Sequence, residues 1–178
     1  MATIAFDVET NAEDPRTPFD NGFRVLGVSF CSDQGMEGYV PLGHNGCSPE
    51  SHSLGMQRLR SLLGRADRLV FHNAKFDLMC FDRLGFPLWD WDWYDTMLMQ
   101  HMIDENLPNK GLDYLGKLHF DDGKEKDEAF VNFLEVFGWS FMPQWMIEPY
   151  AIQDARITLK LFHYLMALME EHGYLPKV

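Results

Sequence analysis

The sequence predicts a mixed α/β fold in which a sheet of about five strands is flanked by helices. Two observations predict this class. Three strand-like segments follow one another at the start of the chain, which is typical of an antiparallel meander. Helical and strand-like patterns then alternate through the remainder. The 178 residues are 46% hydrophobic, so we expect residues 1–178 to form a single packed domain.

The meander is predicted from three segments. Residues 3–9 alternate between apolar and polar side chains, and residues 23–30 are rich in β-branched and aromatic residues. The Asp33-Gln34-Gly35 turn signal separates the second strand from a third at 36–42. Because these connections contain no helical pattern, we expect neighbouring strands to pair antiparallel.

The central segments alternate in type. Residues 50–64 have a leucine-rich side and predict a helix, whereas 68–72 form a short apolar run that suits a buried strand. A helix follows at about 74–84. The alternating segment 89–94 then predicts an extended stretch, which ends at Asp95-Thr96, an N-cap signal for the next helix.

The C-terminal part is predicted to be helical. Its helices are expected at 96–104, 111–118, 125–137 and 145–172. In the last one, a continuous apolar stripe at helical spacing comprises Ile152, Ala155, Leu159, Phe162, Met166 and Met169. Gly173 supplies a stop signal. An acidic segment at 121–128 is expected to be solvated.

The charge excludes several classes of function. With 15 basic and 27 acidic residues, the net charge is −12, which argues against broad electrostatic binding of nucleic acid or of a membrane surface. It does not exclude an enzyme that reaches phosphate through metal ions. We find no apolar run of about 20 residues, no signal-peptide pattern and no Cys-x-x-Cys motif. We therefore expect a cytoplasmic location (the host cytoplasm for a viral protein), without secretion and without a membrane partner.

Two acidic residues lie on the first predicted strand. Asp7 and Glu9 are separated by one residue, so both side chains leave the same face, while Ile4, Phe6 and Val8 occupy the other. Two such carboxylates repel each other unless something neutralises them, and hard divalent cations take oxygen ligands of this kind. A solvated strand end is the alternative interpretation.

Two further segments carry candidate site residues. Asn73 lies where a strand ends, with Asp77 in the first turns of the following helix. The alternative reading is an N-cap and an acid that favours the helix dipole. Tyr150 and Asp154 are at i and i+4 on the last helix and share one face, as an ordinary surface pair also would.

Together these segments resemble the DEDD superfamily of 3′–5′ exonucleases. The matching motifs are Phe6-Asp7-Val8-Glu9-Thr10, His72-Asn73-Ala74-Lys75-Phe76-Asp77 and Tyr150-Ala151-Ile152-Gln153-Asp154. A tyrosine four residues before the last aspartate is typical of the tyrosine (DEDDy) branch. The Asp95-Thr96-Met97-Leu98 stretch and the segment 107–115 are similar to the proofreading domain of family A (polymerase I-like) DNA polymerases.

The resemblance implies a ribonuclease H-like fold, an antiparallel three-stranded meander plus two parallel strands, and two divalent metal ions, Mg²⁺ or Mn²⁺. By this match Asp7, Glu9 and Asp154 coordinate metal directly, and Asp77 holds the second ion through water. Tyr150 orients the attacking water. All five are thereby predicted to be catalytic.

Substrate contacts are assigned to three neighbouring residues. Thr10 and Asn11 directly follow the first strand, where their backbone can meet a terminal 3′-hydroxyl, and Asn73 would support the terminal nucleotide. Two aromatic groups are instead expected to pack rather than stack on bases, the first in the core or against a partner and the second in the core. These groups are Trp89, Trp91 and Trp93, and Trp139, Phe141 and Trp145.

The leading hypothesis is a metal-dependent 3′–5′ exonuclease that hydrolyses single-stranded or frayed DNA from its 3′ end, releases nucleoside 5′-monophosphates and serves proofreading. One alternative is an exoribonuclease of the same superfamily. Another is a non-catalytic, polymerase-associated subunit that binds DNA ends. The expected partners are a single-stranded DNA 3′ end and a separate DNA polymerase.

Overall fold

The computed structural model describes residues 1–12, 22–122 and 127–174. Its strands are β1 (Thr3–Thr10), β2 (Val25–Ser32), β3 (Glu37–Pro41), β4 (Arg68–Phe71) and β5 (Trp93–Asp95). Its α-helices are α1 (Pro49–Leu63), α2 (Ala74–Arg83), α3 (Thr96–Ile103), α4 (Leu112–Phe120), α5 (Glu128–Phe137) and α6 (Gln144–Glu171). A short 3₁₀ helix, Trp139–Phe141, links α5 to α6.

The five strands form one mixed sheet in the order β3-β2-β1-β4-β5. The pairs β1–β2 and β2–β3 are antiparallel, whereas β1–β4 and β4–β5 are parallel. This arrangement confirms the predicted meander with two added parallel strands. It places β1 at the centre of the sheet, where it is paired on both sides.

Each face of the sheet packs against helices. Ile4, Phe6 and Val8 of β1 join the core that includes Leu59 of α1 and Leu78 of α2. The opposite face carries a second core, in which Ala5 and Val70 of the sheet pack with Leu115, Phe162 and Leu165 of α4 and α6. Burial of a large apolar side chain contributes about 1.5–3 kcal/mol, so the second core fixes α6 against the face that bears Asp7 and Glu9.

The tryptophan segment departs from the predicted extended stretch. Residues 89–91 turn, with the Trp91 backbone N–H donating to the Leu88 carbonyl (3.0 Å), and β5 begins only at Trp93. Trp89 and Trp91 are 45% and 42% exposed, so they do not pack in the core of this chain, and their packing against a partner stays a prediction. Trp93 is half-buried against the first core.

Two residues of the second aromatic group also lie outside the core. Phe141 and Trp145 are 61% and 71% exposed, which contradicts their predicted packing. Trp139 is partly buried beside Phe130. Trp145 is two residues before buried Ile147 on α6, about 200° away around the helix, so its side chain points away from the core.

The remaining differences are small. The second strand begins at Val25, two residues later than predicted. The fifth helix begins at Glu128, and positions 125 and 126 of its predicted span, like 123–126 of the acidic segment, lie outside the described residues. Across the described part of the chain, none of the helices combines the length and the apolar composition that a membrane span requires.

Candidate active site

The central feature of the site is a group of three carboxylates. Asp7 and Glu9 of β1 and Asp154 of α6 each offer one oxygen, and these oxygens lie within 4.8 Å of one another. Glu9 and Asp154 are only 8% and 5% exposed, and Asp7 is half-buried. The structure thus brings together three of the four predicted metal ligands from two elements at opposite ends of the sequence.

Local sequence patterns explain the direction in which each side chain of the group points. Alternation along β1 sends Asp7 and Glu9 to the face that α6 covers, while their neighbours enter the first core. On α6, Asp154 shares the buried side with Ala151 and Ala155, both fully buried. Their small side chains let the helix backbone lie close to the sheet, so that a short aspartate side chain reaches the β1 carboxylates.

Asp77 lies beside this group. It is 5% exposed in the first turn of α2, and its Oδ1 accepts a hydrogen bond from the Val8 backbone N–H (3.0 Å). Val8 separates Asp7 from Glu9 in the chain. Burial, and then the negative charge of Asp7, raise the pKa of Asp77 well above its usual range, against the opposing effect of the Val8 hydrogen bond. The fourth predicted carboxylate is therefore fixed to the strand that carries the first two.

Tyr150 lies one turn before Asp154 on α6, as the i and i+4 spacing predicts. Its ring stacks on Phe130 of α5, with centroids 5.1 Å apart and an interplanar angle of 21°. Tyr150, Phe130, Trp145 and Pro149 line a groove of about 350 Å³ between α5 and the first turns of α6. The groove therefore includes Tyr150, one helical turn before Asp154, and the exposed ring of Trp145.

The three predicted substrate residues have different surroundings. Thr10 is 9% exposed at the end of β1. The Asn11 side chain bridges the neighbouring loop, since its Nδ2 donates to the Gly22 carbonyl (2.8 Å) and its Oδ1 accepts from the Arg24 N–H (2.6 Å). Asn73 is exposed, with a left-handed backbone (φ 65°, ψ 54°) and no capping hydrogen bond from its side chain. The substrate roles of these residues stay predictions.

A buried tyrosine near the site was not anticipated from the sequence. Tyr39 of β3 is 3% exposed, and its hydroxyl lies 2.8 Å from His44 Nε2. Gly27, which pairs with Glu9, leaves space for the phenol, because a Cβ there would lie 2.2 Å from Tyr39 Oη. Burial, and then the charges of Glu9 and Asp7, raise the pKa of Tyr39. Only the strand register, which pairs Tyr39 with Ser29, could have revealed it.

Several known proteins have sequences related to that of this chain. DNA polymerase I from Pseudomonas aeruginosa is 30% identical over 190 residues, which cover 98% of this chain and 19% of the polymerase. The chain therefore spans about a fifth of the length of this relative.

Similar solved structures include Brucella melitensis NrnC with bound Mg²⁺ (TM-score 0.64, 17% identity, 96% of this chain and 75% of NrnC). NrnC bound to pGG gives a TM-score of 0.66 at 19% identity, over 96% of this chain and 74% of NrnC. At these identities the likeness concerns the fold, and it confirms the predicted ribonuclease H-like sheet.

A family profile also matches most of the chain. It aligns with residues 1–170 and therefore includes β1, α2 and most of α6, the three elements that carry the candidate carboxylates. The chain belongs to the 3′–5′ exonuclease family found in DNA polymerase A.

Proposed function

We propose that this chain is a metal-dependent exonuclease that hydrolyses single-stranded or frayed DNA from the 3′ end and releases nucleoside 5′-monophosphates. The observation that carries the proposal is the convergence of Asp7, Glu9 and Asp154 in a chain of the exonuclease family. Three anionic oxygens within 4.8 Å repel one another strongly, and a cation at this place would neutralise them.

The donor set fits hard divalent cations. Carboxylate oxygens are the ligands that Mg²⁺ and Mn²⁺ prefer, and the Mg²⁺ named in the NrnC structure supports the same choice. We assign direct coordination to Asp7, Glu9 and Asp154 and an outer position to Asp77. Two such ions would lower the pKa of a water molecule and stabilise the charge that develops on the scissile phosphate.

Tyr150 would position the nucleophile. A phenol with an ordinary pKa near 10 is a poor general base, so its hydroxyl would orient a water molecule rather than deprotonate it. Stacking on Phe130 restricts the ring, which favours this role. The i and i+4 spacing keeps the hydroxyl on the side of α6 that carries Asp154.

The groove beside Tyr150 would receive the substrate strand. Its lining is largely apolar and aromatic, and Trp145 is 71% exposed there. In a chain with a net charge of −12, stacking of bases on aromatic rings is a better source of affinity than phosphate neutralisation. A single strand exposes the base faces that such stacking needs, whereas a duplex does not.

The proposal is tested with a 5′-labelled DNA oligonucleotide incubated with Mg²⁺ or Mn²⁺. We expect a ladder that shortens from the 3′ end and that disappears in EDTA. A 3′-labelled duplicate should release its label as the mononucleotide in the first step. Absence of the ladder, or a ladder that persists in EDTA, would refute the proposal.

Two variants separate the proposed roles. Asp7→Ala should abolish cleavage while the circular dichroism spectrum stays that of the folded protein. Tyr150→Phe retains the ring and its stacking on Phe130, and it should lower the rate about 10²–10⁴-fold, the range for groups that handle a proton or its water. Equal losses in both variants would argue against an orienting role for the hydroxyl.

A second candidate substrate is RNA or a short oligonucleotide. The NrnC complex with pGG favours it, because that protein shares the fold and holds a small ligand. Matched DNA and RNA strands of the same sequence, and a dinucleotide, should be compared in the same assay. Faster cleavage of DNA supports the leading proposal, and faster cleavage of RNA or of the dinucleotide supports the second.

Proofreading would require a polymerase as partner. The related polymerases carry this domain within chains about five times as long, so we propose that a polymerase acts beside the exonuclease described here. A mismatched primer terminus, supplied with the polymerase from the same source, should be trimmed faster than a matched one. Equal rates on the two termini would argue against proofreading.

A further inference from the structure

The junction between β5 and α3 holds the start of α2. Asp95, 8% exposed, ends β5, and its carboxylate accepts four backbone hydrogen bonds. Oδ1 accepts from the N–H groups of Met97 (2.9 Å), Leu98 (3.4 Å) and Asn73 (3.0 Å), and Oδ2 accepts from that of Ala74 (2.9 Å). The first two donors belong to α3, whereas the last two lie where α2 begins. The predicted N-cap of α3 therefore also caps α2.

The next residue adds to this attachment. Thr96 is fully buried, and its hydroxyl donates to the Phe71 carbonyl (3.2 Å) and lies 2.8 Å from His72 Nδ1. Asp95 and Thr96 thus contact four consecutive residues, 71–74, between the end of β4 and the start of α2. We name this pair of residues the Asp95–Thr96 clamp.

The first residues of α2 need hydrogen bonds from outside the helix. Asn73 adopts the left-handed conformation, which costs a non-glycine residue about 1 kcal/mol, and its own side chain supplies no capping bond. The Asp95 carboxylate instead accepts from the orphan N–H groups of Asn73 and Ala74. A buried hydrogen bond to a charged group is stronger than a neutral one, so this contact fixes the first turn of α2 firmly.

We propose that Asp95 is a positioning residue for the carboxylate site and acts through Asp77. The physical connection is short. Asp95 fixes the first turn of α2, that turn carries Asp77, and Asp77 Oδ1 accepts from the Val8 N–H (3.0 Å) between Asp7 and Glu9. A shift of the α2 start therefore moves Asp77 relative to the other carboxylates. This inference rests on the proposed function.

The first test uses neither metal nor DNA. In Asp95→Asn the amide has the same shape, but its NH₂ group would face at least one backbone N–H donor. We expect hydrogen exchange of the Val8 amide, followed by NMR, to accelerate at least tenfold relative to that of Phe6 on the same strand. Equal changes at both amides would indicate general destabilisation and overturn the proposal.

The second test is metal binding. Titration of Mn²⁺ into the DNA-free protein should show affinity about 10–100-fold weaker in Asp95→Asn, the range for groups that orient metal ligands. The matched control is Ser48→Ala, which removes the hydrogen bond that caps α1 (Ser51 N–H to Ser48 Oγ, 3.2 Å), a helix without site residues. We expect this control to bind Mn²⁺ within twofold of the wild type. Unchanged affinity in Asp95→Asn overturns the proposal.

A double-mutant cycle then tests the route through Asp77. In an Asp77→Asn background, Asp95→Asn should reduce the cleavage rate by less than twofold, whereas independent effects would multiply. If Asp95→Asn does not fold, Thr96→Val, which keeps the side-chain shape, should produce the same changes to a smaller extent. A wild type without exonuclease activity would refute the proposed function, while the Val8 exchange would still decide whether the clamp holds Asp77.

Discussion

Neutralising one carboxylate of the site should stabilise the metal-free protein while it abolishes activity. Asp7 takes part in two of the three pairs in the group, with Glu9 and with Asp154, at oxygen distances of at most 4.8 Å. Coulomb repulsion at that distance is about 3.5 kcal/mol per pair at an effective dielectric constant of about 20 and about 0.9 kcal/mol in water. Because Asp7 is half-buried, we expect Asp7→Asn to raise the free energy of unfolding by about 1–3 kcal/mol in EDTA.

A bound metal ion should reverse the order of stability of the wild type and Asp7→Asn. A cation that binds only the folded state stabilises it by about 4.1 kcal/mol at a concentration about one thousand times its dissociation constant, more than the advantage of Asp7→Asn in EDTA. Wild type gains this stabilisation, and Asp7→Asn, with one ligand less, gains little of it. The wild type should therefore be the less stable protein in EDTA and the more stable one in Mn²⁺.

Urea denaturation at pH 8, in EDTA and in Mn²⁺, measures both effects. The control is Asp90→Asn, which removes the same charge from an exposed turn and should change the free energy of unfolding by less than about 0.5 kcal/mol in either buffer. If Asp7→Asn has a lower free energy of unfolding than the wild type in EDTA, the repulsion inferred from the oxygen distances is refuted.

Three further predictions concern the surroundings of the site. Gly27→Ala should lower the free energy of unfolding by about 1–3 kcal/mol in urea, because the new Cβ would overlap the Tyr39 hydroxyl; an unchanged midpoint would contradict the packing. Asn73→Gly should be about 1 kcal/mol more stable than Asn73→Ala, since only glycine accepts φ 65° without cost; equal stability would disprove this strain. Glu37→Gln should cost less than about 1 kcal/mol at pH 7, because the ion pair with Arg156 is exposed. The ion pair lowers the pKa of Glu37, so its contribution to stability is present above the unfolded pKa of about 4.3 and is lost as the pH falls through the folded pKa. A larger loss of stability in Glu37→Gln at low pH than at pH 7 would contradict this contribution.

The sheet and its carboxylates could be predicted because their signals are local. Alternation along β1 places Asp7 and Glu9 on one face regardless of what pairs with the strand. The spacing of Tyr150 and Asp154 likewise depends only on helix geometry. Convergence of the two segments, by contrast, was implied by family resemblance, since no local pattern relates β1 to α6.

The errors arose where structure depends on distant partners. The Trp-Asp alternation at 89–93 has the period of a strand, but β5 pairs with only the Leu69–Phe71 part of a four-residue β4. Of the residues before Trp93, Asp92 still contacts β4, since its carbonyl accepts from the Leu69 N–H (2.9 Å), whereas residues 89–91 form a turn. The double role of Asp95 and the place of Tyr39 depend in the same way on elements that are remote in sequence.

The distance in sequence between Asp7 and Asp154 has a consequence for biosynthesis. A growing chain completes β1 before the other described strands, but it receives the third carboxylate only with α6, after all five described strands have been made. Contacts between such remote segments form late in folding, because closing a long loop must precede any gain from packing. The nascent protein would thus lack the complete group of three carboxylates until α6 docks.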